Sequence, residues 1–196
     1  MRPLNPWRLW RPIYNVTWGL WQQSSYRHFA RFTHQQRNLT ILDVGTGVGN
    51  YIKYISGHNR YVFTEPDKVA LKKAELIAAR YLPQLVAKGK AIFKVGYGDD
   101  VLQKSPKVDV IVLIHVLSVV PRPKSLVTLA LKKLKPGGRL MIYVNTRQHF
   151  LFRFFNPLVR LIGFRFLNMT AILPAGYRVE KAGKLNACYI VQKGRK

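Results

Sequence analysis

Short apolar stretches alternate along the chain with stretches in which apolar residues recur at helical spacing. The apolar stretches predict buried strands at 39–45, 60–65, 91–95, 108–114 and 139–144. Helical patterns lie between them at 50–57, 67–82 and 125–135. Since strands separated by helices pair in parallel, the pattern predicts a doubly wound, mostly parallel α/β sheet. The residues at 177–193 predict an antiparallel hairpin at one edge, which gives seven strands in all.

The helix at 67–82 has the clearest amphipathic pattern. Its predicted apolar face consists of Ala70, Ala74, Ile77, Ala78 and Tyr81. Lys68, Lys72 and Glu75 lie on the opposite face. Asp67 precedes the first turn and is expected to cap it. The helix at 125–135 is expected to end at Lys-Pro-Gly-Gly, where Pro136 and Gly137 suit the two central positions of a type II turn.

The chain is strongly basic. Its 196 residues include 33 lysines and arginines against 8 acids, a formal net charge of +25. Such a surface attracts polyanions, and nucleic acids and anionic lipids both qualify. The single cysteine, Cys188, excludes an internal disulfide framework, indicates a reducing compartment, and is expected to be a structural residue of a strand.

The longest apolar stretch, 108–120, is too short to cross a bilayer and contains Asp109 and His115. Asp109 begins a strand and is expected to be structural. No acid occurs before residue 43, which is also typical of organellar targeting segments, but the prolines and tryptophans of 1–21 fit such a segment poorly. A cytoplasmic location is predicted, with organellar targeting as the alternative.

The stretch "ILDVGTGVGNY" combines glycines with a carboxylate. Gly45, Gly47 and Gly49 follow the first strand at alternate positions, and Asp43 precedes them. A dinucleotide site needs glycine at the sixth position of the motif, where this chain has Asn50, and Asp43 would repel a pyrophosphate. The same carboxylate would attract an amino group and a sulfonium. The stretch therefore indicates S-adenosylmethionine, which joins adenosine, a sulfonium and an amino acid.

Further acids follow the next two strands. Glu65 ends the second strand, where a carboxylate is able to accept hydrogen bonds from both hydroxyls of a ribose. Asp99 and Asp100 are expected in the loop after the third strand. Because ligands of open parallel sheets bind beyond the carboxyl ends of the strands, these side chains are expected on the same rim as Asp43.

Five motifs resemble those of class I S-adenosylmethionine-dependent methyltransferases. They are "LDVGTGVG", "TEP", "GYGDD", "IHVLSVV" and "LKPGGRLMIYV", in the order and spacing of that family. The resemblance covers residues 39–146 and is strongest to the small branch that includes the ubiquinone and menaquinone biosynthesis methyltransferases. It implies the Rossmann-like class I fold and methyl transfer from S-adenosylmethionine.

The resemblance also implies roles for individual residues. The methionine part of the cofactor would be cradled by Asp43, Gly45, Thr46, Gly47 and Gly49. Glu65 would hold the ribose and Pro66 would lie against the adenine. "GYGDD" departs from the family's commoner Gly-Asp-Ala, so the contact to the adenine edge falls on Tyr97 by an ungapped count, or on Asp99 after a shift of two residues. We favour Asp99.

The resemblance identifies no catalytic residue. His115 and Val116 end the fourth strand beside the expected methyl group, and His115 is a candidate base. A packed or cofactor-contacting histidine is the alternative, and it is the commoner one in this branch. The other histidines form no cluster with cysteines or carboxylates, so no metal is expected.

The whole chain is expected to form a single domain. Its predicted parts are a basic aromatic lid segment at 1–38, the cofactor core at 39–146, an amphipathic insertion at 147–170 and terminal strands at 171–196. The aromatic residues of the lid segment recur at near-helical spacing at Tyr14, Trp18, Trp21, Phe29 and Phe32. In the family such a segment packs over the cofactor and lines the acceptor pocket, and a plain lid is the alternative.

The prediction of the methyl acceptor rests on two missing motifs of base methyltransferases and on the segment 147–166. The Asn/Asp-Pro-Pro-aromatic motif of adenine and cytosine amino methyltransferases does not follow the fourth strand, and no cysteine is placed to methylate a base carbon. Basic residues edge a broad aromatic face at 147–166, which is typical of a helix in a membrane interface, although a buried helix would also fit. We therefore expect a small lipid-like or quinone-like acceptor and peripheral contact with anionic membranes, with RNA as the alternative substrate.

Overall fold

The computed structural model describes residues 19–145, 167–182 and 186–194, whose strands form one sheet of seven. The strands are β1 Thr40–Val44, β2 Arg60–Glu65, β3 Ala91–Val95, β4 Val108–Ile114, β5 Leu134–Asn145, β6 Arg178–Lys181 and β7 Asn186–Gln192. Their order is β3-β2-β1-β4-β5-β7-β6. Strands β1 to β5 are parallel, and β7 is antiparallel to both of its neighbours. This confirms the predicted α/β sheet and its antiparallel edge hairpin.

Helices cover both faces of the sheet. Those of the described residues are α1 Gly19–Gln35, α2 Lys68–Tyr81, α3 Pro83–Ala87, α4 Gly98–Lys104, α5 Pro123–Lys132 and α6 Met169–Ile172. Helices α1 and α2 pack on one face over a core that includes Phe29, Phe63 and Tyr143. Helices α4 and α5 pack on the other face around Leu102 and Leu126.

The strand order reverses at β1, which lies between β2 and β4. The chain leaves β1 toward one side of the sheet and returns to β4 on the other side. Such a reversal leaves a crevice beyond the carboxyl ends of the strands, because the helices on the two faces diverge there. The residues that follow β1, β2 and β4 therefore meet at one rim.

The predictions of a helix at 50–57 and of a buried Tyr81 are wrong. The segment 50–57 forms only a 3₁₀ turn, Ile52–Tyr54, because Tyr51, Ile52 and Ile55 are all buried and do not define a single apolar stripe. Tyr81 is 47% exposed because α2 ends at that residue. The rest of α2 fits the prediction, including the cap, since the Asp67 side chain accepts hydrogen bonds from the first turn.

The prediction that a helix continues to the Lys-Pro-Gly-Gly turn is wrong, because α5 ends at Lys132. The turn lies within β5, which begins at Leu134, before the predicted strand. Leu134 pairs with Val108, and the next pair joins Arg139 to Val110, so the residues between them form a bulge. Gly137 has a φ of +74°, which the third position of a type II turn requires. The turn therefore interrupts β5 without ending it.

Several individual predictions lie elsewhere in the fold. Asp109 is structural, as predicted, because its carboxylate accepts hydrogen bonds from the Thr40 N–H and from Lys135. Cys188 is buried in β7. Tyr14, Trp18 and the segment 147–166 lie outside the described residues. None of the helices in the described ranges is long and apolar enough to span a membrane. The division of the chain at 38, 146 and 170 stays a prediction.

Candidate functional site

Asp43 lies at the centre of the rim, as the penultimate residue of β1. Its side chain is buried, and one carboxylate oxygen, Oδ2, accepts hydrogen bonds from the hydroxyls of Thr46 and Tyr51. Thr46 is held in turn by β2, because its backbone N–H donates to the Thr64 carbonyl oxygen at 2.9 Å. The carboxylate is therefore fixed in place by the glycine-rich stretch that follows β1.

The second carboxylate oxygen of Asp43, Oδ1, is buried and accepts no hydrogen bond from the described residues. Burial raises the pKa of Asp43 from its ordinary 3.8 to about 7, although hydrogen bonds from Thr46 and Tyr51 oppose the shift. A buried acceptor without a donor is costly, and a cationic ligand group would relieve that cost. Asp43 thus provides a place for an ammonium group.

The three glycines differ in their surroundings. A β-carbon on Gly45 would lie 2.5 Å from Val116 Cγ2, which brings the end of β4 against the loop. A β-carbon on Gly49 would lie 2.7 Å from Ala74 Cβ on α2. A β-carbon on Gly47 would meet nothing within 4 Å, so the backbone there faces open space in which a ligand could approach closely.

Glu65, at the end of β2, faces the same loop. Its Oε2 accepts from the Gly47 N–H at 3.0 Å and its Oε1 accepts from the Asp67 N–H at 3.1 Å. Burial raises the pKa of Glu65, and these two backbone hydrogen bonds oppose the shift. Each oxygen still has a lone pair for a further donor, so the carboxylate is able to hold two hydroxyl groups while it fixes Gly47.

The residues predicted to contact adenine lie next to Glu65. The Gly96 N–H donates to the Glu65 carbonyl oxygen at 3.1 Å, which brings the loop after β3 to the rim. Tyr97 precedes α4 and is exposed, and Asp99 is exposed in the first turn of that helix. The prediction that Asp99 lies in a loop is wrong, because α4 begins at Gly98. Which of the two contacts adenine stays a prediction, as does the role of Pro66.

His115 ends β4 in the left-handed conformation, with a φ of +58°. That conformation is strained for a residue with a side chain and often marks a functional site. Its N–H donates to the Tyr143 carbonyl oxygen at 2.9 Å, and its ring Nε2 lies 3.2 Å from the Ser25 hydroxyl of α1. Burial of the ring lowers the pKa of His115 to about 4, so the imidazole is neutral at physiological pH.

Sequence reasoning missed Tyr51 and Ser25. Tyr51 stands two residues after Gly49, and its hydroxyl donates to the buried Asp43. The only signal for it in the sequence is that the apolar segment around it is too short for a helix. Ser25 is fully buried beside His115 but lies 90 residues away from it along the chain. The sequence carries no local signal for that contact.

The residues present fit S-adenosylmethionine. The unpartnered Asp43 oxygen suits its ammonium, the open backbone at Gly47 leaves room for its chain, and Glu65 suits its ribose. The neutral imidazole of His115 adds no positive charge against the sulfonium. Within 19–145, 167–182 and 186–194, no three histidine, cysteine, aspartate or glutamate side chains are grouped closely enough to hold a metal ion.

Comparison with known proteins identifies the family of the chain. A family model described as a methyltransferase domain matches residues 21–180. No curated protein matches the sequence.

Solved structures share the fold. The N-methyltransferase NodS from Bradyrhizobium japonicum WM9 aligns over 88% of this chain and 96% of its own, with a TM-score of 0.61 and 14% identity. NodS has also been solved in complex with S-adenosyl-L-homocysteine. YcgJ from Bacillus subtilis aligns over 89% and 99%, with a TM-score of 0.63 and 15% identity. The [4+2]-cyclase SpnF aligns over 87% and 80%, with a TM-score of 0.67 and 14% identity, so likeness of fold does not identify the reaction.

Proposed function

We propose that this chain, which belongs to the methyltransferase domain family over residues 21–180, acts on a small lipid-like or quinone-like acceptor at a membrane face. The protein is an S-adenosylmethionine-dependent methyltransferase. The acceptor, the membrane and the kinship with the quinone-biosynthesis branch are the proposal.

The residues of the rim divide the work of cofactor binding. S-adenosylmethionine supplies a methyl group that its sulfonium makes electrophilic. Asp43 would accept from the ammonium, Glu65 would accept from the ribose hydroxyls, and the open backbone at Gly47 would leave room for the chain between them. Asp99, with Tyr97 as the alternative, would accept from the adenine edge. The protein contributes mainly alignment of the acceptor with the methyl group in a dry site.

The observation that carries the proposal is the contact between His115 and Ser25. These neutral side chains lie 3.2 Å apart, with Ser25 fully buried, so α1 closes over the end of β4. Burial lowers the pKa of His115 to about 4, so the imidazole is a weak base. A neutral, partly desolvated environment favours an uncharged acceptor over a polyanion, because neither of these two described side chains carries a positive charge that would pair with a phosphate.

The membrane part of the proposal rests on chain direction. Strand β5 ends at Asn145, on the same edge of the sheet as Asp43, and the aromatic and basic stretch 147–166 follows directly in the sequence. If that stretch contacts an anionic bilayer, the acceptor is delivered from the membrane to the edge at which the methyl group is held.

The acceptor is identified by isotope transfer. Purified protein is incubated with S-adenosylmethionine that carries a deuterated methyl group, together with a total lipid extract or total RNA, and the products are analysed by mass spectrometry. We expect label in a lipid or quinone fraction. Label in RNA alone, or in neither extract, would contradict the proposed acceptor.

A pair of glutamate variants controls this experiment. Glu65→Ala removes the ribose contact and is expected to weaken S-adenosylhomocysteine binding by roughly 1.5–3 kcal/mol. Glu75→Ala removes a carboxylate of α2 that pairs only with Lys72 in a solvent-exposed ion pair, so binding and labelling are expected to stay near wild type. For both variants, isothermal titration measures the binding of S-adenosylhomocysteine and mass spectrometry measures the labelling of the acceptor. Equal losses in both variants would contradict the role of Glu65.

RNA is the second candidate acceptor, and the net charge of +25 favours it. Several cations cluster near the amino ends of the strands, away from the cofactor rim, at Arg60, Lys90, Lys107, Lys133 and Lys135. RNA held by this edge would lie far from the methyl group, which is why it ranks second.

A further inference from the structure

A cavity of about 440 Å³ lies between α1 and the strands β5, β7 and β6, apart from the cofactor rim. Within α1, Ser25 contacts His115. The last residue of the helix, Gln35, lies about 15 Å farther along the helix axis. His28, Arg31, Phe32 and Gln35 line the cavity from the helix side. Their spacing of three, four and seven residues places them on one face of α1.

The sheet side of the cavity comes from alternate residues of adjacent strands, together with Lys181 at the end of β6. Arg139 and Met141 belong to β5, Ile190 to β7, and Arg178 and Glu180 to β6. The register pairs Met141 with Ile190 and Ile190 with Arg178, so these side chains emerge on one face of the sheet. The fold thus brings three arginines, Arg31, Arg139 and Arg178, to one cavity from three separate elements.

One carboxylate stands among these arginines, and it is already paired. Glu180 accepts from Arg178 at 2.6 Å and lies 3.2 Å from His28 Nε2. The other ring nitrogen of His28 lies 3.0 Å from the Tyr143 hydroxyl, so the histidine is fixed between Glu180 and the core. Arg31 and Arg139 form no ion pair with a described residue, which leaves their guanidinium groups available to a ligand.

The cavity also has an apolar part. Phe32, Met141 and Ile190 line it, and the Arg139 guanidinium lies 6.0 Å from the centre of the Phe32 ring. Its volume is that of a small-molecule site. Arginine forks match phosphate oxygens with two parallel hydrogen bonds, and an apolar surface beside them suits the remainder of an organic phosphate.

We propose that this cavity is a second binding site, which takes a phosphate monoester through Arg31 and Arg139 and places its apolar or planar portion against Phe32 and Ile190. The site shares no residue with the cofactor rim. A soluble nucleotide and a phospholipid headgroup both offer this chemistry.

Calorimetric titration with matched ligand pairs tests the proposal. The phosphates are uridine 5′-monophosphate and dihexanoyl phosphatidic acid below its micelle concentration, and the controls are uridine and dihexanoylglycerol. Saturating S-adenosylhomocysteine keeps nucleotides out of the rim. We expect saturable binding of at least one phosphate and none of its phosphate-free partner; the phosphate that binds more tightly identifies the source. Equal binding with and without phosphate, or no saturation by about 10 mM, typical of unspecific contact, would overturn the proposal.

Arginine variants assign the site. Arg31→Gln and Arg139→Gln are each expected to weaken phosphate binding about tenfold, because each removes a charge-assisted hydrogen bond. Arg80→Gln removes the same charge from the exposed surface of α2 and is expected to change little. Glu180→Gln removes the one carboxylate of the cavity and is expected to tighten binding. Far-ultraviolet circular dichroism verifies that each variant is folded, independently of cofactor binding. An equal loss in Arg80→Gln would mean that only net charge matters, and the assignment would fail.

Discussion

Asp43 is the residue whose ionisation links the fold to the cofactor. Its pKa of about 7 means that the free protein holds the carboxyl protonated below pH 7, whereas an ammonium group requires the carboxylate. Binding below pH 7 must therefore release a proton, and we expect affinity for S-adenosylhomocysteine to fall about 15-fold in total between pH 7 and 5.5.

Isothermal titration in buffers of different ionisation enthalpy measures both the affinity and the released proton. Asp43→Asn keeps the shape of the side chain without the titration, so its weaker binding is expected to be nearly independent of pH over this range. A wild-type affinity that does not change with pH would contradict the ionisation.

Substitutions at Gly47 and Gly49 distinguish an effect on cofactor binding from an effect on stability. Both have positive φ, so alanine at either position costs about 1–2 kcal/mol in backbone strain. Gly49→Ala also drives a methyl group into Ala74, which adds about 1–3 kcal/mol. Urea denaturation should therefore show a clearly larger loss of unfolding free energy for Gly49→Ala. Gly47→Ala is expected to weaken cofactor binding instead, and a variant that binds normally would show that the loop does not contact the ligand.

The residues that the sequence could predict are those fixed by local geometry. Asp43 and Glu65 lie in the last residues of β1 and β2, and the glycines directly follow β1, so the strand ends place all of them on the rim. Ser25 could not be found in this way, because its contact with His115 depends on how α1 crosses the sheet.

At the scale of elements, α1 joins the site to the core. Phe29 is 1% exposed, and its ring packs against Tyr51 and Tyr143. Phe29→Ala is expected to lower the unfolding free energy by about 3–5 kcal/mol, because it leaves a cavity under the helix. Leu76→Ala, on the exposed face of α2, is expected to change it by less than about 0.5 kcal/mol. Urea denaturation measures both, and similar values would contradict the packing of α1.

Strands were easier to predict than short helices. A strand buried on both faces reads as a continuous apolar run, and β2 and β4 have the predicted bounds. The segment 50–57 reads as a helix because apolar residues recur in it, but Tyr51 turns toward Asp43 and Ile52 toward α2. The local pattern of apolar residues does not predict where these two side chains point, because their orientation depends on elements that are distant in the sequence.

Acidic and basic residues are distributed unevenly over the molecule. Five of the eight acids lie at or just after the carboxyl ends of strands: Asp43, Glu65, Asp67, Asp99 and Asp100. Cations dominate elsewhere, so binding to polyanions alone would depend strongly on salt. Insertion of the aromatic residues of 147–166 would add apolar burial that salt does not screen.

Vesicle flotation at rising salt distinguishes these two cases. We expect wild type to stay partly bound to anionic vesicles at high salt, and Phe154→Asp/Phe155→Asp to be released, provided that circular dichroism shows it folded. These two residues lie outside the described part of the chain. Complete loss of wild type with salt, and identical behaviour of the variant, would refute membrane docking and leave RNA as the leading substrate class.

The place of β7 in the sheet affects how the protein is made. Asn186, at the start of β7, donates to the Ser24 hydroxyl of α1 at 2.8 Å, across 162 residues of sequence. At about 5–20 residues per second, a ribosome needs roughly 8–30 s to synthesise the chain between these two partners. Throughout that interval the part of α1 that packs on β7 has no partner, and once Asn145 has been made β5 has an open hydrogen-bonding edge as well. Nascent chains are therefore expected to engage chaperones through this edge, until β7 emerges and fills it.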